Sequence, residues 1–387
     1  MFNIKSLGRV ALNTVVISAS FCFSAAQAAN LTITKLPTQY TTADGTTFNH
    51  MEGHVITGER DKITMTVPAF DLLNVRRDSV LSASIKQQTC SKLYGLGGDY
   101  ASHSPSRYTE LVPMKPVADY VHRYTKRNPS KTVIGINLGF FEAGSEDNFP
   151  NRPSNWKALY QESCGLNLGS YRSNEDNLLY SMYSDKEQLP GGGLDKPFGT
   201  YTQSSAGSWY ISKTGDIDHL YDPGDLGFPG TYLRYGGNDT PETKWPNLVT
   251  KNKDKVVART AYAFNNGDKT FKFLVVQGGR RGGNAGMTLA HIKSFFPSTE
   301  FGYVMLLDGS GSSQMASSIM PTGNSTPNRT DCNGKYRVAA CSMRGDNVEG
   351  QYVSHWDSDT KKATHVENGK AYYDVDRRTP NVLIMMD

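Results

Sequence analysis

The sequence predicts an α+β fold, a twisted mixed β-sheet with packed helices and a β-rich N-terminal part, and three observations carry that expectation. Residues 30 to 84 alternate polar and apolar side chains in short runs such as Leu31-Thr32-Ile33-Thr34 and Lys62-Ile63-Thr64-Met65-Thr66-Val67, the period of half-buried strands. Val117, Tyr120, Val121 and Tyr124 recur at helical spacing, Asn128-Pro129 ends that helix, and a strand follows from Thr132 to Asn137. Thr288 is placed to N-cap an amphipathic helix carrying Leu289, Ile292, Phe295 and Phe296, after which Tyr303 to Leu307 reads as a buried strand.

The remaining elements are read in the same way. Lys255 to Phe264 and Phe271 to Gln277 are strand-like runs, and Asn265-Asn266-Gly267-Asp268 between them is a hairpin signal. Ser145 to Pro246 is rich in Gly, Asn, Asp, Tyr and Pro, which reads as loops and hairpins. No internal repeat at a fixed period is present.

At the N-terminus, Lys5 and Arg9 precede an apolar stretch from Val10 to Phe23, and Ala26-Gln27-Ala28 offers the small residues of a cleavage site. Residues 1–28 are therefore read as a secretory signal, and the protein as secreted or periplasmic. An apolar run of about 14 residues is short of the roughly 20 that span a bilayer, so no stable membrane span is expected. The rest divides into a β-rich region, 29–115, and a larger segment, 116–387.

Cys22 leaves with the signal, which leaves Cys90, Cys164, Cys332 and Cys341, an even set suited to two disulfides in an oxidising compartment. Spacing leaves the connectivity open; Cys332 and Cys341, which close a small loop through Asn333-Gly334, are the easier pair to join, and that pairing would leave Cys90 with Cys164. Neither pair has the C-x2-C spacing of a zinc knuckle. No cofactor is expected, and the metal question, a divalent ion included, stays open. Formal net charge is +4, with basic residues scattered and not interleaved with aromatics, so no nucleic acid partner is expected.

Four segments place polar groups where an apolar strand ends: Asn137-Leu138-Gly139-Phe140-Phe141, Arg259-Thr260-Ala261, Gly278 to Thr288, and Asp308-Gly309-Ser310-Gly311-Ser312-Ser313. Glycine there lets backbone N–H groups approach an anion, and Ser and Thr hydroxyls donate to phosphate or sugar oxygens. Arginine adds a planar two-point donor matched to phosphate.

In this order the segments resemble the phosphodiester glycosidases, a family whose animal member removes N-acetylglucosamine from phosphodiester-capped mannose. Residues 137–141 are similar to the family's N-G-G-F-F, 259–261 to its R-T-A, Gly286-Met287-Thr288-Leu289 to its G-M-T-L, and 307–313 to its L-D-G-G-G-S-S. Arg377, Pro380 and Asn381 resemble its R-x-V-P-N. No one of these is specific; five in order are, and they make 116–387 the expected glycosidase-like domain.

The resemblance implies an exported hydrolase that breaks the bond between a sugar's anomeric carbon and a phosphodiester oxygen of a glycan or cell-surface polysaccharide, leaving a phosphomonoester. Two carboxyl groups commonly divide the work in glycoside hydrolysis. Asp308 is the first candidate and Glu142 the second, with Arg259 on the phosphate. Asn137, Gly139, Arg280, Gly286, Thr288, Gly309, Ser310, Ser312 and Ser313 are the candidate substrate-binding positions. The chain departs from the family at Leu138 and Ser310, where glycine is usual, and at Gln277, near where an aspartate is usual.

Each residue also has a purely structural reading. Asp308 can cap its turn, Asn137 can form an Asx-turn, Arg259 can sit in a surface ion pair, and Ser312 and Ser313 can be polar turn residues. Phe140 and Phe141 read better as core than as a sugar platform. Two other enzyme classes fit poorly: a serine hydrolase pairing Ser312 with His291 lacks the G-x-S-x-G elbow, and Gly278 to Gly286 lacks the Lys-Ser/Thr ending of a P-loop. The alternative from another class is a secreted glycan-binding module that keeps the fold without catalysis.

Overall fold

A computed structural model of the chain describes residues 30–50, 52–69, 112–113, 117–142, 164–167, 169–175, 179–182, 199–203, 209–212, 223–265, 269–278, 285–309, 312–318, 341–343, 348–349, 365–367, 370–373 and 379–387. Among these residues two sheets dominate. The larger runs β1 (Leu31–Lys35), β4 (Glu52–Glu59), β17 (Thr270–Gln277), β16 (Arg259–Phe264), β18 (Tyr303–Leu306), β14 (Leu226–Tyr235), β10 (Gly169–Arg172), β11 (Leu179–Met182). β12 (Gly199–Gln203) and β15 (Asn238–Asp239) pair with β14, and β13 (Trp209–Ser212) pairs with β12.

The second sheet runs β20 (Cys341–Met343), β19 (Met315–Ser317), β7 (Val133–Asn137), β24 (Val382–Met386), β5 (Thr64–Thr66). β2 (Gln39–Thr41) and β3 (Thr47–Asn49) form a hairpin. Two small sheets complete the set, β6 (Val112–Pro113) with β9 (Cys164–Asn167) and β8 (Phe141–Glu142), and β21 (Val348–Glu349) with β23 (Lys370–Tyr373) and β22 (His365–Glu367).

Every pairing of these strands is antiparallel. The expected α+β fold with a mixed sheet and packed helices is therefore corrected: the chain is mainly antiparallel β. Among the described residues α-helix is limited to Val117–Arg127, Asn247–Thr250 and Leu289–Phe295. A parallel pair needs a crossover of a dozen or more residues, usually a helix, between its strands. Here β16 reaches β17 through a short hairpin, and the Val117–Arg127 helix feeds β7, whose neighbours β19 and β24 come from far along the chain and run against it.

The core follows from strand alternation. Along β24, Leu383 and Met385 enter the cluster between the two sheets, beside Ile134, Ile136, Tyr262 and Phe273. Val382, Ile384 and Met386 face the opposite way, onto Val117, Tyr120, Val121 and Tyr124 of the first helix. β16 and β17 split likewise: Tyr262, Phe264, Phe271 and Phe273 point between the sheets, while Ala261, Ala263, Leu274 and Val276 pack on Leu289, Ile292 and Phe296. The Tyr262 and Phe273 rings stack with centroids 4.4 Å apart. Small residues on the helix side of β16 and aromatic ones on the other set the spacing of each layer.

Candidate functional site

The ends of β7, β16 and β18 meet at one edge of the core between the sheets, and a polar side chain near each lies there, Asn137 and Thr260 buried and Asp308 half-buried. Asn137, the last residue of β7, has no exposed surface. Its Oδ1 accepts from Thr260 Oγ1 at 2.8 Å and from the Gln314 N–H at 3.0 Å. Its Nδ2 donates to the Asp308 carbonyl at 2.9 Å and to the Leu138 carbonyl at 3.3 Å. A carboxamide has two N–H donors and two lone pairs, so this one is filled by the protein. Asn137 thus shapes the site by tying three distant segments together.

Neighbouring backbone groups extend the knot. The Asp308 N–H donates to the Leu138 carbonyl at 2.9 Å, the Leu307 N–H to the Thr260 carbonyl at 2.9 Å, and the Leu138 N–H to the Asn381 carbonyl at 3.3 Å. The Leu138 side chain enters the core between the sheets. Asp308 itself is half-buried, and its Oδ1 accepts from the Gly309 N–H at 2.9 Å. That bond is the turn-capping contact of the structural reading.

Arg259 is buried at the start of β16. Its Nε donates to the Met287 carbonyl at 3.0 Å, and its Nη2 to the carbonyls of Asn252 and Lys255 at 2.6 and 3.0 Å. The side chain is buried and not on the surface, and these bonds brace the loop before β16. Bonds to carbonyls leave the guanidinium charge in place, so it still favours an anion nearby.

The glycines at the site are explained by close approach. A Cβ on Gly139 would lie 2.5 Å from Tyr171 Oη and 2.8 Å from the Pro229 carbonyl oxygen, and one on Gly309 would lie 2.9 Å from the Ala258 carbonyl oxygen. Gly286 has φ +128° and would meet the Val257 backbone at 2.5 Å. Thr288 caps the Leu289–Phe295 helix: its Oγ1 accepts from the His291 N–H at 3.1 Å, and its own N–H faces His291 Nδ1 at 3.4 Å. Burial holds His291 below the ordinary imidazole range.

Ser312 and Ser313 are buried beside the knot, where the Ser312 N–H donates to the Gly309 carbonyl at 3.1 Å. Ser313 Oγ is buried with no hydrogen-bond partner among the described residues. Glu142 pairs with Leu166 through its backbone in β8, and its side chain lies outside the described residues. Arg280 and Ser310 also lie outside them, as do the signal segment 1–28 and Cys90 and Cys332, one half of each proposed disulfide. Among the described residues no group of three or more His, Cys, Asp or Glu is placed to hold a metal, and no helix is long and apolar enough to cross a membrane.

Thr260, Gln314 and Tyr171 were missed as site residues. Thr260 had a signal, because alternation in Arg259-Thr260-Ala261 turns it to the opposite face from its neighbours. Gln314 and Tyr171 had none, since their importance comes from Asn137 and Gly139, far away in sequence.

No family model matches this chain, and no curated protein matches it. Among solved structures, it is similar to the zebrafish N-acetylglucosamine-1-phosphodiester alpha-N-acetylglucosaminidase catalytic domain auto-inhibited by its pro-peptide, at 13% identity and TM-score 0.39, over 83% of this chain and 85% of that one. A hypothetical protein from Synechocystis is similar at 12% identity and TM-score 0.31, over 72% of this chain and 57% of that one. Likeness at this level assigns neither fold nor activity.

Proposed function

We propose that the protein is an exported hydrolase that releases a sugar from a sugar phosphodiester and leaves a phosphomonoester. One observation carries the reading: all five segments of the motif series, spread from residue 137 to residue 381, are joined by hydrogen bonds at one place. Asn137 reaches Thr260 and Asp308, Arg259 reaches Met287, and Leu138 reaches Asn381. Convergence of separate strand ends on one polar cluster is how sites are assembled on β scaffolds.

In the proposed reaction Asp308 stabilises or attacks the sugar carbon as it becomes oxocarbenium-like, and the Arg259 charge favours the departing phosphate. A phosphate leaving group needs little protonation, so one carboxylate with an arginine suffices, and Glu142 is the second candidate. Ser313 Oγ supplies a hydroxyl for a sugar or phosphate oxygen. The test is release of free sugar from a panel of fluorogenic sugar phosphodiesters. Asp308→Asn is expected to lower turnover about a hundredfold with melting temperature retained, the effect of losing a charged transition-state contact of about 3 kcal/mol. A folded Asp308→Asn protein with full activity would remove Asp308 from the mechanism. Binding without turnover across the panel would point instead to a glycan-binding module. Arg259→Ala should lose more activity on the phosphodiester than on an aryl glycoside of the same sugar, a ratio that loosening of the braced loop alone would not change.

Export belongs to the same proposal. Mass spectrometry of the exported protein should find its first residue at or near Ala29, and non-reducing peptide mapping should find Cys332 joined to Cys341 and Cys90 to Cys164. An intact Met1, or four free thiols, would refute these respectively.

A further inference from the structure

Glu52 and His54 lie outside every motif quoted above, yet strand pairing brings them to the edge where the polar strand ends meet. The start of β4, the end of β17, the start of β16 and the end of β18 all lie along that edge. Glu52 stands opposite Gln277, His54 opposite Val275, and Val275 opposite Thr260, whose hydroxyl donates to Asn137 Oδ1 at 2.8 Å. Alternation sets the face: Ile56, Val275 and Tyr262 belong to the core between the sheets, so Glu52, His54, Gln277 and Thr260 face the same way. Polar side chains thus close a face that is otherwise apolar. His54 Nε2 lies 3.9 Å from Glu52 Oε1, close enough for Coulomb attraction and too far for a hydrogen bond. The His54 side chain is 3% exposed and that of Glu52 12%, so the imidazole backs the carboxylate from the core side and the carboxylate is the group a solute meets.

A carboxylate set this deep is costly unless it meets a partner or serves a ligand, and distance and charge decide what it can serve. β4 is three places from β18 in the sheet, which puts roughly 14 Å between Glu52 and the strand that leads to Asp308 at the usual strand spacing. Two carboxyl groups that share one glycosidic bond stand about 5–9.5 Å apart, so Glu52 binds and does not react. Its oxygens accept from hydroxyls, with about four lone-pair sites to offer, and disfavour contact with the negative oxygens of a phosphate. Lys35 stands opposite His54 on the outer strand β1, farther along the sheet from Thr260 than Glu52 is. We infer that Glu52, held in place by His54, is a specificity-determining residue in a subsite for sugar hydroxyls, on the side of the site away from the scissile bond. Its part in a reaction rests on the hydrolase reading; its binding of a sugar does not.

The whole protein is titrated by calorimetry with glucose, galactose and mannose, and then with the monodeoxy forms of the hexose that binds most tightly. Wild type should bind at least one hexose and lose affinity about tenfold or more for the form that lacks a hydroxyl held by Glu52. Glu52→Gln keeps the shape and removes the charge. It should weaken the parent hexose about tenfold and shrink the penalty for that deoxy form, a ratio that lost stability alone does not move. If melting shows Glu52→Gln unfolded, Glu52→Asp, which keeps the charge and draws it back, is read in its place. Wild type that binds no hexose overturns the proposal, as does a variant with the affinity and the deoxy penalties of wild type. On the hydrolase reading, Glu52→Gln raises KM for the phosphodiester of that sugar more than it lowers kcat. Hexose binding that depends on Glu52, in a protein that releases sugar from no phosphodiester, sinks the hydrolase reading and keeps the subsite. Turnover with hexose binding indifferent to Glu52 does the reverse.

Discussion

Asn137 could be picked out of the sequence as a polar residue at the end of an apolar strand, and the fate of its side chain could not. Its partners Thr260 and Gln314 are 123 and 177 residues away. Because all four of its hydrogen-bonding positions are taken inside the protein, truncation strands several buried groups at once. Asn137→Ala is expected to destabilise by about 2–3 kcal/mol, the usual scale for leaving buried donors and acceptors unpaired. Thermal melting reads this as a fall of several degrees, and an unchanged melting temperature would show that the polar knot adds nothing to stability. Arg259 teaches the same lesson: its charge was visible, and its three carbonyl partners depended on a loop that only folding brings near.

The Leu289–Phe295 helix was legible as an element, because Thr288 and the spacing of Leu289 and Ile292 are local signals. The structure makes Thr288 its N-cap through a capping box with His291. Thr288→Ala should therefore lose about 1 kcal/mol of stability, the ordinary value of such a cap. A change in sugar-phosphodiester affinity beyond that loss, measured by calorimetry, would restore Thr288 to the binding set.

The β2–β3 hairpin leans on this helix through Phe48, whose ring stacks on His291 at 5.7 Å and lies 5.8 Å from His50. Burial holds both imidazoles below their ordinary range, so the unfolded chain takes up protons there more readily than the folded one. Their contribution to stability is complete above the unfolded pKa of about 6.5 and is lost as pH falls from there toward the lower folded values. Melting temperature should drop across that window, and His50→Leu should flatten the slope. An equal slope in the two proteins would clear His50 of the effect.

On the scale of the whole molecule, β24 lies between β7 and β5, and every residue from Val382 to Met386 is buried. Its alternate side chains belong to two different clusters, one between the sheets and one beneath the first helix. Removing residues 382–387 should abolish cooperative unfolding, because both clusters lose a wall and β7 loses a partner. Calorimetry and near-ultraviolet circular dichroism test this, and a truncated chain with a sharp transition would contradict the central role given to β24.

By itself the sequence marked the Val117–Arg127 and Leu289–Phe295 helices and the strands β1, β7, β16, β17 and β18, since periods of two and 3.6 are properties of neighbouring residues, but it read the segment that holds the central strand β14, Leu226–Tyr235, as loops and hairpins. It also placed the polar strand ends at Asn137, Arg259 and Asp308. What it could not determine was how the strands pair. A strand of β7's composition reads the same whether its neighbours run with it or against it, so the mixed sheet expected from helix-to-strand order gave way to antiparallel sheets. Pairing is decided by which distant segments can bury their faces together and satisfy each other's backbone groups. Tyr171 is the clearest case: nothing near it in sequence marks it, and only the packing of β10 brings its hydroxyl against Gly139.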